Sequence, residues 1–133
     1  MRFIHTSDWH LGKNLEGHSR IEEQKMFCSD FVKIVEDNDI DMVVIAGDIY
    51  DTANPSAEAE KLFYSTVSKI AANGKRCVVV IAGNHDSPER IEAASPLAFE
   101  QGILLFGNPL SKTSIGKFEG FEIVEAKKGM TKL

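Results

Sequence analysis

The chain has 133 residues, of which 43% are hydrophobic and 26% charged. That is the composition of one soluble globular domain with a real core, and it excludes low-complexity disorder, collagen and a disulfide-dense mini-protein. Twenty acidic against 15 basic residues give a formal charge of −5; this argues mildly against a dedicated nucleic-acid-binding surface but not against an enzyme that meets phosphates through bound cations, which cancel clustered carboxylates.

The elements read in chain order as follows. Arg2–Ser7 is a first strand, and Asp8–Ser19 a polar, glycine-containing loop. From Ser19 to Asp37, apolar residues recur at Ile21, Phe27, Cys28, Phe31, Val32, Ile34 and Val35, a helical stripe. Met42–Ala46 is a β-branched run expected to form a strand covered on both faces. The loop Gly47–Pro55 leads into a helix over Ser56–Asn73, with Pro55 suited to its first turn and Asn73-Gly74 to its stop. Cys77–Ala82 is a third strand and Gly83–Glu89 a third loop. Glu89–Gln101 is helical but interrupted at Ser95-Pro96, and Ile103–Phe106 is a fourth strand closed by Gly107-Asn108-Pro109. Lys117–Ala126 alternates weakly, as edge strands do, and Lys127–Leu133 reads as a frayed end. The longest apolar runs fall far short of the roughly 18 residues that span a bilayer. MRFIHTSDWH holds no signal-peptide core, so a cytoplasmic location is expected. Cys28 and Cys77, the only cysteines, lie in apolar surroundings and read as buried free thiols.

Strands alternating with helices imply an α/β layered fold with a parallel sheet and right-handed crossovers. The loops that follow successive strands then leave from one edge, where ligands bind. The unusual residues lie there: Asp8-Trp9-His10 after the first strand, Gly47-Asp48-Ile49-Tyr50-Asp51 after the second, Gly83-Asn84-His85-Asp86 after the third. Each glycine comes where the chain must turn sharply or approach another group closely. Carboxylate, imidazole and amide oxygen are hard or borderline donors that favour manganese, iron, zinc or magnesium. Such a set suits metal-assisted hydrolysis of a phosphate ester, with Asp48 of the middle loop the natural bridge between two ions. His85 suits protonation of the leaving oxygen, while the adjacent Asn84 turns its amide to a metal.

D-x-H, G-D-x-x-D and G-N-H-D, each after a strand, resemble the calcineurin-like metallophosphoesterase superfamily. The longer strings HTSDWHLGKN, AGDIYDTANPS and VVVIAGNHDSPER are similar to its SbcD nuclease branch, from Met1 to at least Pro109. The resemblance implies a metallophosphoesterase-type sheet flanked by helices. It assigns Asp8, His10 and Asp48 to a first metal, Asp48 and Asn84 to a second, and His85 to the catalytic acid. It further implies a Mn2+-dependent DNA exonuclease and endonuclease, with Mg2+ as the alternative ion, an SbcC-type ATPase partner, and homodimers formed through helices of this domain. DNA-contacting residues are not assigned. One departure is plain: the family draws further ligands from downstream histidines, including a G-H-x-H, whereas the four histidines here are His5, His10, His18 and His85. Residues 1–133 are therefore expected to form a single partial, N-terminal piece of the domain, binding metal weakly and cleaving DNA poorly.

Neighbouring residues read more plainly. Asp51 is expected to cap or brace the middle loop, and Asp86 to orient His85 or cap the next helix. His5 reads as a packed core histidine, His18 as part of a solvated loop, and Trp9 as packing beneath the cluster. Two other functions stay open: a phosphoesterase for small phosphodiesters or phosphoproteins, and a non-catalytic self-association module presenting Leu62, Phe63, Tyr64 and Val67 on the second helix.

Overall fold

The computed structural model describes residues 1–133. Four parallel strands form the central sheet: β1 (Phe3–Thr6), β4 (Met42–Ala46), β5 (Cys77–Ile81) and β6 (Ile103–Phe106), in that spatial order. Between them run α1 (Ile21–Asp37), α2 (Ala57–Ala71) and the short pair α3 (Pro88–Ala93) and α4 (Ser95–Glu100). Three ribbons complete the chain: β2 (Asn14–Leu15) with β3 (His18–Ser19), β7 (Gly116–Lys117) with β8 (Glu122–Ile123), and β9 (Glu125–Lys127) with β10 (Met130–Lys132). No helix is long and apolar enough to cross a membrane.

The strands are adjacent in chain order, so every crossover steps the same way and the helices stack on one face. One main core records this: Cys28, Phe31 and Val35 of α1 and Phe63, Val67 and Ile70 of α2 meet Val43, Ile45, Val78 and Val80 of the strands. The stripe expected along α1 is narrower than the sequence suggests, because Phe27 and Ile34 are largely exposed. The opposite face holds a small cluster of Cys77, Leu104 and Ile123, bordered by Phe99, Phe118 and Phe121. Phe3 and Ile81 of that face stay open, and β4 alternates between buried and half-buried residues. Covering on both faces, expected from the β-branched runs, is thus realised only over part of the sheet.

Local chemistry sets the boundaries. Ser56 caps α2 by accepting from Ala59 N, which puts Pro55 before the cap and not inside the first turn. Ala72, Asn73 and Gly74 then adopt left-handed φ and end the helix. Ser87 caps α3 by accepting from Arg90 N, with Pro88 in the first turn, and the break before α4 falls at Ala94. Three expectations need correction. The first loop contains the β2–β3 hairpin, turned through Glu16 and Gly17 at φ 49° and 81°. The tail residues pair with one another and not with the main sheet. Its last residues are an ordered hairpin, since Met130–Lys132 pairs antiparallel with Glu125–Lys127.

Candidate metal centre

The loops after β1, β4 and β5 do not diverge at the strand ends. Asp8 N donates to Gly47 O, His10 N to Asp48 O and Leu11 N to Ile49 O, so the first loop continues alongside the second. Gly47 N donates to Ile81 O, tying the second loop to β5. Between the second and third loops, backbone meets backbone. A Cβ on Gly83 would lie 2.1 Å from Asp48 N and 2.2 Å from Asp48 Oδ1, so this position takes no side chain.

The side chains converge as a result. His10 Nε2 lies 3.7 Å from Asp8 Oδ1 and 4.0 Å from Asp48 Oδ2. Donor atoms of His10, Asp48 and His85 fall within 4.8 Å of one another. The His10 and His85 rings stand edge to face with centroids 5.5 Å apart. Asp8, Asp48 and Asn84 line a common cavity of about 290 Å³ at the sheet edge. The five residues expected to form the site are therefore gathered at one rim. Asp48 is the most enclosed carboxylate, its side chain 13% exposed against 65% for Asp8, and its Oδ1 accepts from His85 N at 3.1 Å. Three of the five, Asp8, His10 and Asp48, hold left-handed φ of 57°, 45° and 49°. Asp and His tolerate that region better than most residues, but it is still uncommon for a non-glycine.

A divalent cation fits this donor set. Asp8, Asp48 and the nearby Asp51 have no lysine or arginine within ion-pair distance; the titratable side chains that face them are the His10 imidazole and, at Asp48, His85. Carboxylates gathered around an imidazole, on both its nitrogens, match hard or borderline ions. Asp8, His10, Asp48 and Asn84 could hold such an ion, with His85 exposed at its side.

The supporting residues depart from expectation. Asp86 neither orients the His85 ring nor caps α3. It is buried, and its carboxylate accepts from Gly83 N at 2.8 Å, Tyr50 N at 2.9 Å and Ile49 N at 3.1 Å, clamping the second loop to the third. The Asp51 carboxylate does not brace its own loop; it faces His10 Nδ1 at 3.6 Å. His5 is exposed on the open sheet face and is not a core residue, because the helices cover only the side that Ile4 and Thr6 occupy. Trp9 does lie beneath the cluster, buried against Phe27, Phe31 and Phe63, with Nε1 donating to Thr6 Oγ1. His18 is exposed, and Cys28 and Cys77 are buried free thiols. Burial raises both thiols, Cys77 to about 12. Gln24 belongs to no motif, yet it supports the site. Its amide donates to His10 O and accepts from Gly12 N, both at 2.9 Å, fixing the first loop from α1. The only signal in the sequence is a polar residue within the buried stripe, three after Ile21 and four before Cys28.

Strand-end carboxylates, imidazoles and an amide gathered over a parallel sheet are the donor set a metal-dependent phosphoesterase needs, and the family model for calcineurin-like phosphoesterases matches residues 1–130. The chain belongs to that family. It is 54% identical over 112 residues to the SbcD component of nuclease SbcCD from Bacillus subtilis, covering 84% of this chain and 29% of that protein. Proteins of the same name from Rhodobacter capsulatus (38% over 108 residues, 80% of this chain and 27% of the relative) and Staphylococcus epidermidis (42% over 95 residues, 71% and 25%) are also similar. The chain thus spans between a quarter and three tenths of the length of these curated relatives.

Proposed function

We propose that this chain supplies the strand-end half of the active site of an SbcD-type DNA nuclease, hydrolysing phosphodiester bonds with the help of Mn2+, or of Mg2+ as the alternative ion. The observation that carries the reading is the meeting of Asp8, His10, Asp48, Asn84 and His85 at one rim. Similarity to three proteins named as subunits of the SbcCD nuclease supports a nucleic acid as the substrate, and DNA is the one proposed.

In this reading Asp8, His10 and Asp48 would hold one ion and Asp48 with Asn84 the other. Bound ions would supply a polarised phosphoryl group and a water acidic enough to attack at neutral pH. The chain's own residues perform the rest. Asp48, enclosed and fixed by His85 N, sets the spacing of the two halves of the cavity. His85, exposed beside the cluster, gives a proton to the departing alkoxide oxygen. Residues 1–133 offer four ligand side chains, fewer than two sites of about five or six donors need; metal binding by this chain is accordingly weak and its nuclease activity low. An SbcC-type ATPase and a second copy of the same chain are the partners proposed for the working assembly, in the cytoplasm where chromosomal DNA is reached. Of Leu62, Phe63, Tyr64 and Val67 on α2, Phe63 and Val67 are buried in the core, and only the half-buried Leu62 and Tyr64 are offered to the second copy.

Titration of the chain with Mn2+, followed by the free-ion EPR signal, tests this reading. Saturable binding that is lost in Asp48→Ala is the expected outcome. Binding that survives Asp48→Ala, or none in the parent chain, would refute it. Cleavage of linear DNA at the rate of a complete enzyme would overturn the claim of low activity.

A further inference from the structure

The His10 imidazole stands between two sets of acids. Nε2 faces Asp8 and Asp48 at 3.7 and 4.0 Å, while Nδ1 lies 3.6 Å from Asp51 Oδ1 on the opposite side of the ring. Nδ1 is buried and has no hydrogen-bond partner, and neither oxygen of Asp51 accepts a hydrogen bond. A buried ring nitrogen left unpaired is costly, so these two groups are each other's available partners. Their placement is not accidental to one side chain. Asp51 N donates to Leu11 O at 3.2 Å, and Leu11 bridges Tyr50, so the backbone beneath Asp51 is locked to the backbone beside His10. Gln24 holds the His10 carbonyl from α1.

We propose that Asp51 is a positioning residue for His10: its carboxylate accepts the Nδ1 proton and so turns the Nε2 lone pair toward Asp8 and Asp48. This rests on the reading of His10 as a metal ligand. A neutral imidazole carries its proton on one nitrogen and a lone pair on the other, and only the lone pair can bind a cation. At 3.6 Å the contact is longer than a hydrogen bond, and a side-chain shift of under about 1 Å brings it into range. Asp51 is thereby distinguished from the ligands themselves, since it faces Nδ1 whereas Asp8 and Asp48 face Nε2. Carboxylates on the far nitrogen of a ligating histidine fix the tautomer and raise its basicity, and their loss costs about 10–100-fold in metal affinity.

The test is long-range 1H–15N NMR of the imidazoles in the metal-free chain, at a pH where the rings are neutral, combined with Mn2+ titration. The parent is expected to hold His10 as the Nδ1–H tautomer. In Asp51→Ala the Nε2–H tautomer grows in and Mn2+ affinity falls about 10–100-fold. Asp51→Asn, whose amide oxygen accepts the same proton, keeps the tautomer and most of the affinity. An Nε2–H tautomer in the parent, or an unchanged tautomer in Asp51→Ala, would overturn the inference. Should Asp51→Ala fail to fold, the tautomers of the parent and of Asp51→Asn decide. The underlying reading fails separately: a His10→Ala chain that binds Mn2+ as tightly as the parent removes His10 from the ligands whatever its tautomer.

Discussion

Asp86 is the residue whose removal should reveal how the rim is held. One carboxylate oxygen, Oδ2, accepts from Gly83 N and Ile49 N, and the other, Oδ1, from Tyr50 N, in a site only 5% exposed. Hydrogen bonds to a charged group contribute about 1.5–3 kcal/mol each, and buried donors left unpaired carry their own desolvation cost. Asp86→Ala strands three backbone N–H groups at once. Taking the lower figure for each bond, because water can enter the vacated space, sets the loss at about 4–5 kcal/mol. Asp86→Asn is the sharper perturbation. Its amide oxygen can replace Oδ2 and keep Gly83 and Ile49, but its NH2 group then meets Tyr50 N–H, donor against donor. That variant should lose about 1.5–3 kcal/mol, between the parent and Asp86→Ala. Urea unfolding monitored by circular dichroism gives both values. Hydrogen exchange localises the cause, since the amides of Ile49, Tyr50 and Gly83 should lose protection before those of β4 and β5. If Asp86→Asn unfolds within about 0.5 kcal/mol of the parent, the range of an ordinary surface change, or if the three amides stay protected in Asp86→Ala, the clamp described here is not what joins the loops.

Two further outcomes follow from the same geometry. Gly83→Ala places a Cβ against Asp48 N and Oδ1, and should lose about 1–3 kcal/mol in urea unfolding together with Mn2+ binding. Gly17→Ala serves as its control: nothing lies within 4 Å of the added Cβ, and φ of 81° alone costs about 1–2 kcal/mol, leaving Mn2+ binding as in the parent. The Cys77 thiol, pushed up to about 12 from 9.0 by burial, should stay silent to a thiol reagent at pH 8 until the chain unfolds. Between pH 9 and 12 the unfolded chain releases a proton that the native chain keeps, so stability falls as pH rises through that interval. Cys77→Ala should flatten the fall in urea midpoint over that range; an unchanged slope would show that Cys77 does not titrate as its burial requires.

The main sheet and its helices are legible in the sequence because their signals are long and redundant. Met42–Ala46 and Cys77–Ile81 are β-branched runs, and α2 carries an apolar stripe and an Asn73-Gly74 stop, although its cap proves to be Ser56, one residue after Pro55. The ribbons are not legible. Two-residue ladders such as Asn14–Leu15 with His18–Ser19 have no periodicity to read, and their turn is Glu16-Gly17 instead of the usual Asn-Gly or Asp-Gly. The candidate ligands can be named because polar residues directly after β-branched runs stand out. Roles that depend on a partner far along the chain cannot. Asp86 reaches Ile49 and Tyr50 across 37 and 36 residues, and nothing in the local string separates a helix cap from such a clamp. His5 is misplaced by sequence reasoning for a related reason. Alternation gives the two faces of β1, and only the direction of the crossovers decides which of them the helices cover.

The backbone at the rim explains why the motifs have their spacing. In Asp8-Trp9-His10 the left-handed φ at both outer residues turns the chain on either side of Trp9, so the outer side chains reach the cavity and the middle one takes the other direction. Trp9 accordingly drops into the core against Phe31 and Phe63 while Asp8 and His10 reach the cavity edge. In the second loop, Ile49 and Tyr50 are likewise seated in the core between Asp48 and Asp51. Left-handed φ at Asp8, His10 and Asp48 bends each strand end over the sheet, at a cost of about 1–2 kcal/mol per residue for an ordinary side chain. Glycine would adopt these angles without that cost, as Gly47 does at φ 89°. The strain therefore persists together with the side chains that glycine would remove, two carboxylates and an imidazole lacking any lysine or arginine partner. A fold held only by its core has no use for that combination. A rim built to gather charge on an ion does, and the buried anchors Trp9, Ile49 and Tyr50 are what keep the strained turns in place.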